Sequence, residues 1–254
     1  ALPISNVSRL FKSTITYRFT LKTMKQKFTS NGWLVVNKPE GVESFGVIRK
    51  LKFCYQFHKI GFAGTLDPLA SGILLIGINK ATKLIPKIHL FNKSYEVQIR
   101  FGATTPTLDS EGRYTSLEPV SHDFQDRIHY IKKFIGTYQQ KIPNFSAHKK
   151  EGKNFYELAR NNEDIEDRYK QVSVSSLKVL YSNPSTLGIE LECQTGFYVR
   201  AFASELASFM GDKGYASSIK RLKIGEFSMD RSVDYENILD FSSINDLSTN
   251  LITI

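Results

Sequence analysis

Between Gly61 and Gly72 the chain reads Gly-Phe-Ala-Gly-Thr-Leu-Asp-Pro-Leu-Ala-Ser-Gly. Glycine supplies positive φ and proline a fixed φ, so this stretch reads as a tightly folded loop. One carboxylate, Asp67, stands at its centre between apolar Leu66 and rigid Pro68. An Asp before a Pro is also ordinary turn chemistry. Two features favour a reactive role. The loop joins two apolar elements, which would set the carboxylate at a sheet edge, and no competing nucleophile or metal constellation occurs. The five histidines form no HExxH pattern and no zinc-like spacing with Cys54 or Cys193, so a metal enzyme is not expected. Glycoside hydrolysis needs two carboxylates across a cleft. Only Asp67 stands out, with Asp109 a weaker second.

The loop needs elements to hold it. Trp33–Val36 is a short apolar run ended by Lys38-Pro39 and Gly41, which reads as a buried strand and turn. Ser44 is expected to cap a helix whose apolar face is Val47, Ile48, Leu51, Cys54 and Tyr55. Ile73–Ile78 reads as a second buried strand, followed by a short basic helix over 81–88. Tyr95, Val97, Ile99 and Phe101 alternate with polar residues, as do Leu187, Ile189, Leu191 and Cys193. Val172, Val174, Leu177 and Val179 suggest a further strand with a bulge. Helical spacing marks 124–135 and 198–210. Strands in hairpin-like runs with separate helices predict an α+β fold.

The 254 residues suit one large domain or two small ones, and 41% hydrophobic content provides a core. No run of eighteen apolar residues occurs, so no membrane span is expected. Two distant cysteines give no disulfide framework, which makes a reducing compartment the default. The formal charge is +9, with 18 Phe and 12 Tyr, a combination that suits a polyanion with flat bases. Many soluble proteins of other function are equally basic. Residues 1–31 hold no acid and carry Arg9, Lys12, Arg18, Lys22, Lys25 and Lys27 among many Ser and Thr. That is the composition of an organelle transit peptide; alternatively Met24 is the true start. On either reading 1–31 is expected to pack poorly. The expected domain spans 32–240, with 241–254 as a tail.

From Asn31 to Lys83 the sequence resembles the signature region of the TruB-type tRNA pseudouridine synthases. The shared pattern is Lys38-Pro39-Glu40-Gly41, then the loop around Asp67, then Gly77 to Lys83. Further blocks follow in that family's order. They are Lys93-Ser94-Tyr95, Asp109-Ser110-Glu111-Gly112, and Ser146-Ala147 with Lys149, Gly152, Tyr156 and Arg160. Gly196-Phe197-Tyr198-Val199-Arg200 and Ile219-Lys220-Arg221 with Gly225 and Phe227 complete the series. The resemblance covers roughly 31–235. It implies a mixed, largely antiparallel sheet with flanking helices, and isomerisation of uridine to pseudouridine in tRNA, most simply uridine 55 of the T-loop.

That reaction breaks the N–C glycosidic bond, turns the uracil and rejoins it through carbon. It needs no redox change or group transfer, so neither cofactor nor metal is implied. By resemblance Asp67 is the nucleophile and Arg200 its ion-pair partner. Tyr95 stacks on the target base and assists proton removal at C5. Tyr198 and Ile219 line the uracil pocket, and Lys38 supports the loop. Taken alone, Arg200 reads as a solvated helix-start residue, and Tyr95, Tyr198 and Ile219 as core. A target inside a folded RNA loop must be flipped out. Lys149, Lys150, Lys153, Arg160, Lys220, Arg221 and Lys223 are expected to hold the RNA.

The chain departs from the pattern in places. Phe62 stands where the family loop carries a histidine that enters the RNA, and is expected to bind there by stacking, or else to pack beneath the loop; Asn37 replaces an aspartate, and Asn144-Phe145 replaces Pro-Tyr. After 240 no length remains for the PUA domain of many relatives. The resemblance therefore implies a stand-alone enzyme, with monomer as the default state, cytoplasmic in a bacterium, or mitochondrial if 1–31 is a transit peptide. The rival reading is a non-catalytic RNA-binding or RNA-chaperone protein on the same fold.

Overall fold

The computed structural model describes residues 26–121, 123, 126–146, 149–150, 153–154, 166–239 and 244–253. In chain order the strands are β1 (Gln26–Phe28), β2 (Gly32–Lys38), β3 (Tyr55–Phe57), β4 (Ile60–Ala63), β5 (Ser71–Ile78), β6 (Lys93–Phe101), β7 (Ala103–Thr104) and β8 (Ser116–Leu117). They continue with β9 (Gly136–Lys141), β10 (Lys149–Lys150), β11 (Lys153–Asn154), β12 (Tyr169–Asn183), β13 (Thr186–Cys193), β14 (Gly214–Ile224), β15 (Phe227–Ser228) and β16 (Val233–Asp234). The helices are α1 (Ser44–Cys54), α2 (Ile85–His89), α3 (Arg127–Ile131), α4 (Val199–Phe209) and α5 (Ile244–Thr249), with short 3₁₀ turns between them.

One ten-stranded sheet runs in the order β16-β2-β5-β14-β6-β13-β12-β9, with β4 added on β5 and β15 on β14. Only β5–β14 and β16–β2 are parallel; the other pairs are antiparallel. This is the expected mixed α+β architecture. Successive side chains of a strand face opposite ways, and β2 and β5 use both faces. Leu34, Val36, Leu74 and Ile76 pack on the side of α1 and α4 with Val47, Leu51, Phe202 and Leu206. Trp33, Val35, Ile73 and Leu75 pack on the other with Ile224 and Phe227. The expected bulge in β12 is present as register shifts at 174–176 and 179–181.

Packing runs past both expected ends of the domain. β1 pairs in parallel with β3, and Phe28 is buried among Tyr55 and Phe57. One aromatic ring thus anchors a segment whose polar, basic composition predicts poor packing. Residues 1–25 lie outside the described residues. At the other end Leu247 is fully buried, and Trp33 and Ile252 exchange two backbone hydrogen bonds of 2.8 Å. The stretch 241–254 is therefore partly built into the fold rather than a tail. The helix expected over 124–135 is shorter: α3 covers Arg127–Ile131 and a 3₁₀ turn takes Lys132–Phe134.

Candidate active site

The loop around Asp67 is tighter than its glycines suggest, because Ile60–Ala63 already pairs with β5. The irregular part begins at Gly64 (φ +76°) and ends before Ser71. Gly72, at φ +95°, lies against β14, where a Cβ would overlap the Arg221 carbonyl. Only glycine meets both demands.

Two side chains far away in sequence, Ser44 and Lys38, hold the loop from α1 and β2. Ser44 does not cap α1; Glu43 occupies that position without a side-chain bond. Instead the Ser44 hydroxyl donates to the Leu66 carbonyl (2.8 Å) and accepts from the Leu66 N–H (2.9 Å). Both backbone polar groups of buried Leu66 are thereby satisfied. Lys38 is fully buried, and its ammonium donates to the carbonyls of Pro39 (2.8 Å), Val42 (2.7 Å) and Pro68 (3.3 Å). Burial pushes its pKa down to about 8. Lys38 thus supports the loop from beneath. The Gly41 N–H meets the same Pro68 carbonyl at 2.8 Å. Asp67 begins a turn closed by the Ala70 N–H (3.0 Å).

Arg221 also differs from its expected place. It is 1% exposed, and its guanidinium donates to the carbonyls of Ile73 (2.8 Å) and Gly64 (3.0 Å) and hydrogen-bonds Tyr95. Buried to this degree and committed to these carbonyls, it does not present its charge to a phosphate at the surface. Its neighbours Lys220 and Lys223 are exposed.

Arg200, in the first turn of α4, is 7% exposed. Its Nε donates to Asp67 Oδ2 at 2.7 Å, and the same nitrogen lies 3.6 Å from Asp109 Oδ2. The two remaining arms donate to the carbonyls of Thr107 (2.6 Å) and Phe145 (2.9 Å). This fully occupied guanidinium fixes one oxygen of Asp67, whose side chain is 43% exposed. Asp109 is 2% exposed, bonded by the Thr107 hydroxyl (2.6 Å) and the Glu111 N–H (3.1 Å). Burial raises its pKa, against the opposing pull of Thr107 and Arg200.

Asp67, Tyr95, Tyr198, Arg200 and Ile219 line one cavity of about 210 Å³. That is smaller than the ~300–1,000 Å³ of pockets that enclose drug-sized ligands, and suits a single ring. Tyr95 is 8% exposed, and burial raises the pKa of its hydroxyl. The arrangement offers one oriented carboxylate beside flat apolar walls. Among the described residues no group of three His, Cys, Asp or Glu side chains could hold a metal ion, and no helix is long and apolar enough to cross a membrane.

Phe62 stands apart from this cavity. It lies on β4, half-buried against the core, with its ring edge-on to Phe45 at 5.3 Å. The ring that projects is Phe45, 64% exposed. Its signal in the sequence is an aromatic residue off the Val47–Ile48–Leu51 face of α1. Asp109 was legible only as a weak second carboxylate, because its partners come from a turn and from α4. Lys149, Lys150 and Lys153 belong to the small β10–β11 pair, and their side chains, like Arg160, lie outside the described residues.

Residues 52–199 match the family described as TruB family pseudouridylate synthase (N terminal domain). The chain is 39% identical over 227 residues to tRNA pseudouridine synthase B of Ureaplasma urealyticum, covering 85% of this chain and 96% of that protein. It is 33% identical over 225 residues to tRNA pseudouridine synthase B of Parabacteroides distasonis, covering 86% and 96%. Among solved structures, an H/ACA RNP bound to a substrate RNA containing 2'-deoxyuridine superposes with a TM-score of 0.62 at 18% identity. A Cbf5-Nop10-Gar1 complex gives 0.62 at 20%. These two share the fold; they cover 86% and 83% of this chain, which spans about half of each of those chains, 55% and 54%.

Proposed function

The chain belongs to the TruB family and is a tRNA pseudouridine synthase, and from that premise we propose that Asp67 is its nucleophile and uridine 55 of the T-loop its target. The observation that carries the proposal is the 2.7 Å contact of Arg200 with Asp67 at the wall of a one-ring cavity. The carboxylate attacks the uridine and forms a transient adduct while the N1–C1' bond breaks. The freed uracil turns within the cavity, C5 bonds to C1' as the bond to Asp67 breaks and the carboxylate is recovered, and the C5 hydrogen leaves as a proton. N1 gains a proton in exchange, so no atom is gained or lost overall. Arg200 orients the attacking group, and its own four contacts keep it from following the substrate.

Tyr95 serves this chemistry as a stacking surface. Its hydroxyl also assists removal of the C5 proton; burial raises the pKa of that hydroxyl and the Arg221 contact opposes the rise. Tyr198 and Ile219 complete the slot for the base. A T-loop uridine must leave its stack to enter, at a cost of a few kcal/mol. Exposed Lys220 and Lys223 contribute to the phosphate contacts that hold the RNA.

The target is tested with unmodified tRNA transcripts. The account expects pseudouridine at position 55 and none in a transcript with cytidine there. Conversion at another uridine with position 55 untouched would overturn the assignment.

A further inference from the structure

Lys170 of β12 stands directly opposite Gln140 of β9, and both side chains serve Tyr198. Gln140, fully buried, accepts from the Tyr198 N–H (2.8 Å) and donates to the Tyr198 carbonyl (3.1 Å). The backbone of Tyr198 is therefore gripped on both sides. The ammonium of Lys170 lies 4.0 Å from the centre of the Tyr198 ring. It passes Gly196, where a Cβ would come within 3.1 Å of it.

A lysine over an aromatic face is attracted by the ring quadrupole, but that attraction does not replace a counter-ion. Lys170 is half-buried, and burial lowers its pKa. Among the described residues no carboxylate or carbonyl meets its ammonium. Tyr198 is also a wall of the cavity that holds Asp67. A cation partly stripped of water, and without an anion among the described residues, thus stands beside the place where a base would enter. A base carries its backbone with it, and the backbone brings negative charge to the cavity rim.

We propose that Lys170 is a phosphate-binding residue of the substrate site, its ammonium steadied over the Tyr198 ring to take a backbone phosphate beside the uridine turned into the cavity. The proposal rests on the reading of that cavity as the uridine site. Lys170 falls outside the family-patterned blocks, and its neighbours in sequence carry no basic run.

The test is the salt dependence of tRNA affinity, from about 50 to 200 mM salt, for the wild type, Lys170→Met, Lys170→Gln and Lys170→Arg. Each phosphate contact contributes about 0.7 (single strand) to 0.9 (duplex) to the slope of log affinity against log salt. Lys170→Met and Lys170→Gln should flatten the slope by that amount and weaken binding roughly five- to tenfold at low salt. Lys170→Arg should keep both, because a guanidinium stacks on a ring and donates to phosphate. If Lys170→Met loses its fold, the polar Lys170→Gln decides. An unchanged slope overturns the proposal. With weaker binding it would mark Lys170 as a support for Tyr198 alone. A wild type that binds no tRNA would overturn the uridine reading and this proposal together. A wild type that binds and converts tRNA, with Lys170→Gln matching its slope, overturns only the role of Lys170.

Discussion

Arg200 meets two carboxylates from different parts of the chain, Asp67 at 2.7 Å and Asp109 at 3.6 Å. Arg200→Met removes the cation from both. Turnover should fall by orders of magnitude, since Asp67 loses its orientation and a buried pair is broken. The same variant has a pH signature in stability. The pKa of Asp109 is raised above its usual 3.8 by burial, and Arg200 opposes that rise. A carboxyl whose pKa is higher folded than unfolded binds more protons in the native state, so stability falls as pH rises through that interval. Without Arg200 the interval widens. The melting temperature of Arg200→Met should therefore drop more steeply than that of wild type as pH is raised from 4 toward 7. Parallel curves would show that Arg200 does not serve Asp109. Phe62 belongs to the same scale. Its half-buried ring packs on the core and on Phe45, so Phe62→Ala should cost ~1–3 kcal/mol, below the ~3–5 of a fully buried Phe. Thermal melts check this. A variant with unchanged melting temperature and weakened tRNA binding would restore Phe62 as an RNA contact.

At the scale of elements, the loop that presents Asp67 is positioned by α1, β2 and β14 as well as by its own glycines. Ser44→Ala deletes both bonds to the Leu66 backbone. An unsatisfied buried polar group costs about 1–3 kcal/mol, and two are left here. The melting temperature should fall by several degrees, and kcat should fall with tRNA affinity nearly kept, because the loop loosens while the phosphate contacts stay. Unchanged kcat would show that the loop holds its shape alone. The strands were legible because burial leaves a local record: alternation in Tyr95–Phe101, an unbroken apolar run in Ile73–Ile78. Helix α4 was legible from the spacing of Phe202 and Leu206. The bond from Ser44 to Leu66 spans 22 residues, and no local pattern encodes it; a Ser before an apolar helix reads as a cap. Arg221 was misplaced for a similar reason. A basic residue between Lys220 and Leu222 reads as surface, whereas the fold turns it onto the Ile73 and Gly64 carbonyls. Phe28 was hidden by its neighbours' composition.

Across the whole molecule, the +9 formal charge is less of a surface property than it looks. Lys38, Arg127 and Arg221 are at most 1% exposed. Arg127 stacks 3.8 Å over the Phe101 ring and donates to the Asn183 and Pro184 carbonyls. These cations bind the protein to itself, and RNA affinity must come from those left outside. On the proposed reading the scaffold separates two tasks: exposed lysines hold the tRNA, while one carboxylate inside the cavity carries out the isomerisation. Asp67→Asn tests that separation most directly, since it keeps the shape of the side chain and removes its charge. The measurement is single-turnover conversion of uridine 55 with the variant in excess over tRNA, beside the dissociation constant of the same tRNA. The account predicts no detectable pseudouridine and an affinity within a few fold of wild type, because binding rests mainly on phosphate contacts. Measurable conversion by Asp67→Asn would contradict it.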